Sequence, residues 1–223
     1  MELWSGSSGR AWQDTIKPFL IFSSICYVPP ICETLHSVCT EILIKRGMNT
    51  MKTIPLYMYS LLKTIPESAL PVGFQFRLFQ EGDEKHWARI NVSTKEFSVT
   101  DAALERFNQE FGSHLAEVKK RMLFILNEEE TPIGTATAWF GIWEGRVIGR
   151  LHWVEIIPEY QGKGLGAPLI SKAIELLAVY HEEAYLKTQT TSQAAIHLYK
   201  KLGFEPAILS EEEKEGWSFI KGS

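Results

Sequence analysis

The 223-residue sequence has no run of lysines and arginines longer than the three at 119–121 and no net positive charge: 23 basic against 27 acidic side chains leave a formal charge of -4 and a pI near 5.9. A duplex nucleic-acid partner needs a clustered basic face to displace counterions, so that class is excluded. Nor does any stretch reach the roughly 18 uninterrupted apolar residues that read as a membrane span. The best candidate, PFLIFSSICYVPPIC from Pro18, is short, is broken by Pro29 and Pro30, and lacks the small-residue cleavage site of a signal peptide. No membrane partner is expected. Cysteine is scarce: Cys26, Cys32 and Cys39 precede residue 40 and lack the CxxC spacing of a zinc site, so no metal is expected. The cysteine-free remainder fits a reducing, cytoplasmic compartment. No repeat or low-complexity tract appears.

What is present is enough apolar material, 45% of residues, to bury one good core with some chain left over. Residues 1–70 show no repeating apolar face and read as a poorly packed extension, leaving 71–223 as the folded domain. Met48 and Met51 follow Lys45, Arg46 and Gly47, whose codons can resemble a bacterial ribosome-binding site. Translation from either methionine is one reading, and an ordinary N-terminal arm is the other.

From Phe74 the pattern is regular. Phe74, Phe76 and Leu78 alternate as a half-buried strand, and Asp83 opens a helix through Trp87 and Ile90. Thr100 reads as the N-cap of a second helix with Ala103, Leu104, Phe107 and Phe111 on one face. Strands over 122–126 and 133–140 flank the polar turn NEEETP, and a third strand over 147–157 follows GIWEGR, which makes an antiparallel meander. A long helix carrying Leu165, Leu169, Ala173 and Leu177 then leads to the strand AYLKTQT, a crossover that implies parallel pairing. A last helix runs from Ser192 to Gly203, and Ser210 with Glu213 reads as a capping box for one more. The fold class is therefore α/β (α+β), a mixed, mostly antiparallel sheet flanked by helices.

The sharpest feature is Gln161-Gly162-Lys163-Gly164-Leu165-Gly166, between a strand end and the long helix. Glycines let backbone approach a ligand, and unpaired first-turn N–H groups form an anion site suited to a pyrophosphate. A Walker loop would need Ser or Thr after Lys163, where Gly164 stands. The dinucleotide fingerprint matches at Gly162, Gly164 and Ala167, but Pro158, Glu159 and Tyr160 separate it from the strand, and the next strand ends in Thr188-Gln189-Thr190 rather than an acid. A glycine turn with no ligand is the plainest alternative.

The run VEIIPEYQGKGLGAPLI resembles the acetyl-CoA motif of the GNAT (GCN5-related N-acetyltransferase) superfamily, Q/R-x-x-G-x-G/A, and SQAAIHLYKKLGF resembles that family's second motif. WARINVSTKEF, GTATAWF and YLKTQT are similar to the catalytic half of mycothiol synthase and its bacterial relatives, from which no substrate is carried over. The resemblance covers about Phe74 to Phe204. It implies the GNAT fold with a splayed parallel strand pair and transfer of an acetyl group from acetyl-CoA to a primary amine, more readily that of a small molecule than of a protein. Pantetheine would then lie in the gap beside Glu155, Ile156 and Ile157, and the pyrophosphate on Gln161, Gly162, Lys163, Gly164, Leu165 and Gly166. Ser192 stands where the family usually has Asn and would be a further contact to the cofactor.

Under that resemblance, direct attack by the amine needs a base, an oxyanion donor and an acid. Tyr199 matches the family's acid, its alternative being simple packing beside Ala195, Ile196 and Leu202. A backbone N–H near Ile156 is the oxyanion donor. His152 is the first choice of base for its intrinsic pKa, with Glu155 second, and period-two alternation sends the two to opposite faces. Trp139, Phe140, Trp143 and Trp153 read as core or as an aromatic substrate wall, and His86 and Trp87 fall on a helix suited to substrate contact. A catalytically silent acyl-CoA-binding sensor would have much the same sequence, and a homodimer is left open.

Overall fold

A computed structural model describes residues 52–220. The three cysteines, the apolar stretch from Pro18 and the starts at Met48 and Met51 lie outside the described residues. Seven strands form one sheet: β1 (Pro55–Leu61), β2 (Gln75–Leu78), β3 (Met122–Leu126), β4 (Pro132–Trp143), β5 (Arg146–Ile156), β6 (Glu183–Gln189) and β7 (Glu205–Ala207), in the spatial order β2-β3-β4-β5-β6-β1-β7. The helices are α1 (Glu84–Ser93), α2 (Thr100–Phe111), α3 (Leu115–Arg121), α4 (Gly166–Tyr180), α5 (Gln193–Lys201) and α6 (Glu211–Ser218).

β1 corrects the expected extension. Leu56 and Met58 are fully buried, and the strand pairs antiparallel with β6 on one edge and β7 on the other. Among the described residues the compact unit therefore includes β1 and does not start near residue 70. PLYMYSL alternates well, but its phase is half tyrosine, so it reads from sequence as an isolated fragment rather than as a central strand.

β4 and β5 form the longest hairpin. Its turn is two residues, Glu144 and Gly145, both at positive φ (47° and 78°), the conformation that matches strand twist. The turn is therefore tighter than GIWEGR suggests. Thr100 is the first residue of α2 and Val99 is its N-cap. At α6, Ser210 accepts from the Glu213 N–H at 3.2 Å, and the Glu213 carboxylate returns to the Leu209 N–H at 2.6 Å.

Two features position the site. β5 and β6 pair in parallel over only three rungs, Gly149 with Ala184, Arg150 with Tyr185 and Leu151 with Leu186, after which they part. Beyond that point β5 still pairs with β4 and β6 still pairs with β1, so their facing edges enclose a gap. The second feature is a β-bulge: Thr135 pairs with Glu155 and Thr137 with His152, leaving Ala136 opposite two residues of β5, where Trp153 takes φ 49°.

Candidate active site around the splayed strands

The bulge overturns the alternation expected for β5. Thr135 and Thr137 are two apart and share a face, so their partners Glu155 and His152 share it too. Helices α1 and α2 lie on this face: Glu110 of α2 meets the His152 Nε2 at 2.5 Å and the Trp153 Nε1 at 3.2 Å. Trp153 packs edge-on against Trp87 (5.1 Å between ring centroids) and lies 5.7 Å from Phe97. The aromatic residues Trp87, Trp139 and Trp153 are thus core on the α1–α2 side, with Phe111 edge-on to Trp139 at 5.0 Å.

The two candidate bases differ in their partners. His152 is 13% exposed, and burial pushes its pKa down to about 4, against the hydrogen bond to Glu110. Because a carboxylate only accepts, the Nε2 proton of His152 is committed to Glu110. Burial works against ionisation of Glu110, yet the His152 hydrogen bond and the charges around it, including Arg106 and Arg150, hold its pKa well below the usual carboxylate range. Glu155 faces no cation. Burial pushes it up to about 7, the negative charge of Glu96 adds to the rise, and the Thr94 side chain works against it.

Tyr199 lies on α5 and is 8% exposed. Its ring packs 6.3 Å from Phe204, and its hydroxyl makes no hydrogen bond among the described residues. Burial raises its pKa, and the charge of Glu155 raises it further, which places the phenol and the carboxylate within electrostatic reach of each other. Tyr199 thus packs on the helix face as the plainer reading expects and keeps a hydroxyl without a partner among the described residues.

The Ile157 N–H reaches the Ile133 carbonyl at 3.0 Å, and the Ile157 carbonyl accepts from Tyr160 at 3.0 Å. Both backbone groups of Ile157 therefore have partners inside the protein. Alternation turns the N–H and C=O of Ile156 to the gap instead. The Gln161 side chain donates to the Ile156 carbonyl at 2.8 Å and so braces the loop.

Gly162 and Gly164 adopt φ 74° and 77°, which glycine alone enters without cost, and a Cβ at either would meet nothing within 4 Å. The constraint is conformational and the approach is open. α4 starts at Gly166 with Leu165 as its N-cap and no side-chain cap, so its first-turn amides are turned outward unclaimed by a side chain. Lys163 Nζ sits 4.4 Å from the Tyr160 ring centroid. Ser192 is the N-cap of α5 without a side-chain cap, so its hydroxyl is not spent on the helix. Open loop, outward amides and unpaired strand edges together fit a ligand that has a pyrophosphate at one end and amides along its length.

The model of the "Acetyltransferase (GNAT) family" matches residues 84–204, more than half of the chain. The chain belongs to the GNAT family. It is 27% identical over 179 residues to the mycothiol acetyltransferase of Paenarthrobacter aurescens, covering 76% of this chain and 54% of that one. It is 30% identical over 98 residues to an uncharacterized N-acetyltransferase of Methanocaldococcus jannaschii, covering 42% of each. Among solved structures, a GCN5-related N-acetyltransferase from Sphaerobacter thermophilus superposes with a TM-score of 0.58 at 17% identity, covering 77% of this chain and 53% of that one. The chain thus spans about half the length of these curated relatives. The mixed sheet with one parallel pair is the GNAT fold. The match does not include β1, which lies inside the sheet all the same.

Three contributors were not singled out from sequence: Thr94, Glu96 and Glu110. Glu110 left a signal, since it stands three residues after Phe107 and so is a carboxylate beside the apolar stripe of α2. Thr94 and Glu96 sit in the α1–α2 connection and carried none.

Proposed function

We propose that this protein transfers an acetyl group from acetyl-CoA to the primary amine of a small molecule, by direct attack within a ternary complex in the cytoplasm. The observation that carries the reading is Glu155: a carboxyl raised to about 7, free of cations, beside the splayed strands and within the electrostatic reach of Tyr199. Acetyl-CoA supplies an activated acetyl thioester. The amides of Gly162 to Gly166 hold its diphosphate, and the facing edges of β5 and β6 hold its amides.

Glu155, not His152, takes the proton from the acceptor's ammonium group. A base works best with a pKa near the operating pH, and Glu155 is brought there while burial holds His152 at about 4. The Ile156 N–H points into the gap, where it stabilises charge on the acyl oxygen. The Tyr199 hydroxyl donates its proton on the α5 side of the gap. Its raised pKa keeps it protonated throughout the working range, as an acid must be.

The test is a titration with acetyl-CoA followed by thermal shift, then free-thiol release across a panel of primary amines. Stabilisation by acetyl-CoA together with amine-dependent CoA release is expected. Stabilisation without release from any amine would leave a silent acyl-CoA-binding module, and no stabilisation would end the assignment.

A further inference from the structure

At the floor of the gap, on the face that holds Glu155, stands Arg150, on the middle rung of the short parallel pairing opposite Tyr185. Its guanidinium lies 5.9 Å from the Tyr185 ring centroid, its side chain is 26% exposed, and its Nε is buried without a hydrogen-bond partner. The nearest carboxylate is Glu110, 4.0 Å away, but Glu110 already serves His152 at 2.5 Å, Trp153 at 3.2 Å and Arg106 at 3.3 Å. Across the gap, Lys187 of β6 is exposed on the same face, 6.0 Å from the Tyr57 ring centroid. Among the described residues it makes no ion pair within 4.0 Å. One shared carboxylate against three cationic side chains leaves this corner short of negative charge. A partly buried cation that shares its one neighbouring carboxylate with two other groups is costly unless a further anion meets the exposed part of its guanidinium.

We propose that Arg150 and Lys187 bind a carboxylate on the acceptor, so that the substrate is an amine that also bears a carboxylate group. The inference rests on the acetyltransferase reading, because Glu155 marks the amine end. The β4 partners of Glu155 and Arg150 are Thr135 and Trp139, four residues apart, which sets their backbones roughly 13 Å from each other on one face of the sheet at ~3.3 Å per residue. Guanidinium and carboxylate match in shape as well as charge, and Tyr57 and Tyr185 give the acceptor's body an apolar wall.

The experiment compares alanine, β-alanine and alanyl-alanine with their amides as acceptors, measuring KM and kcat for each. Amidation is expected to raise KM roughly 10–100-fold with little change in kcat, the range of a charge-assisted hydrogen-bonded contact. Arg150→Gln and Lys187→Gln should each shrink that difference, and thermal melting of both variants controls for folding. Equal KM for acid and amide overturns the inference. So does discrimination that survives in both variants, or failure of all three acids when other amines release CoA. Loss of acetyl-CoA binding itself would mark a different failure, that of the acetyltransferase reading.

Discussion

Replacing Glu155 with glutamine should make the protein slower and, above neutral pH, more stable. The Glu155 carboxyl has its pKa raised from 4.5 to about 7, mainly by burial. A carboxyl raised in the fold binds its proton more tightly there than in the unfolded chain. Its stabilising contribution is therefore complete below about pH 4.5 and is lost as the pH climbs through about 7. At ~1.4 kcal/mol per pH unit the full loss is at most on the order of 3 kcal/mol, an upper bound because the side chain is only partly shielded from solvent. The assay is urea denaturation of the unaltered protein and of Glu155→Gln at pH 5 and pH 8. The unaltered protein should lose on the order of 2–3 kcal/mol more than the variant over that interval. In parallel, kcat/KM of the unaltered enzyme should rise tenfold per pH unit up to about 7 and then level. Glu155→Gln should lose that limb and roughly 10²–10⁴ of the rate. A variant with the same pH dependence of both stability and rate would refute the assignment of the base.

Tyr199→Phe keeps the ring against Phe204 and removes only the proton, so turnover should fall by roughly 10²–10⁴ while acetyl-CoA binding, read by calorimetry, stays intact. His152→Ala takes a donor from Glu110 and should cost about 1–3 kcal/mol in denaturant melts, yet the pH–rate limb near 7 should persist because it belongs to Glu155. Met58→Ala empties a fully buried site on β1 and should destabilise by about 2–5 kcal/mol; a shift under 1 kcal/mol would contradict the central place of that strand.

Much of this was legible because the local signals agree with the fold. MLFIL is buried at every position, as a strand covered on both faces must be, and the residues of α4 that face the sheet fall at helical spacing. The glycine loop was legible because positive φ at Gly162 and Gly164 demands a residue type that sequence displays directly. β1 was not, because its role depends on partners 122 to 134 residues away, from Leu61 with Glu183 to Pro55 with Gln189, and nothing local encodes that pairing. Its tyrosines face the open side of the sheet, which blurs the contrast a periodicity reading needs.

The choice of base turned on a single extra residue. With regular alternation His152 and Glu155 point apart, and the better intrinsic pKa decides for histidine. The bulge at Trp153 and Val154 puts both on one face, and the decision passes to their neighbours. Histidine becomes the buried partner of Glu110, and burial together with the charges of Arg150 and Arg106 holds its pKa at about 4, too low for a base at neutral pH. Glutamate, with Glu96 as its charged neighbour and no cation beside it, is the group whose proton is exchanged near neutral pH. A carboxylate set among cations is held in its charged form, and one kept from them becomes a base at physiological pH. The same strand therefore separates two acidic environments by a few residues: one at Glu110 that fixes the architecture, and one at Glu155 suited to move a proton.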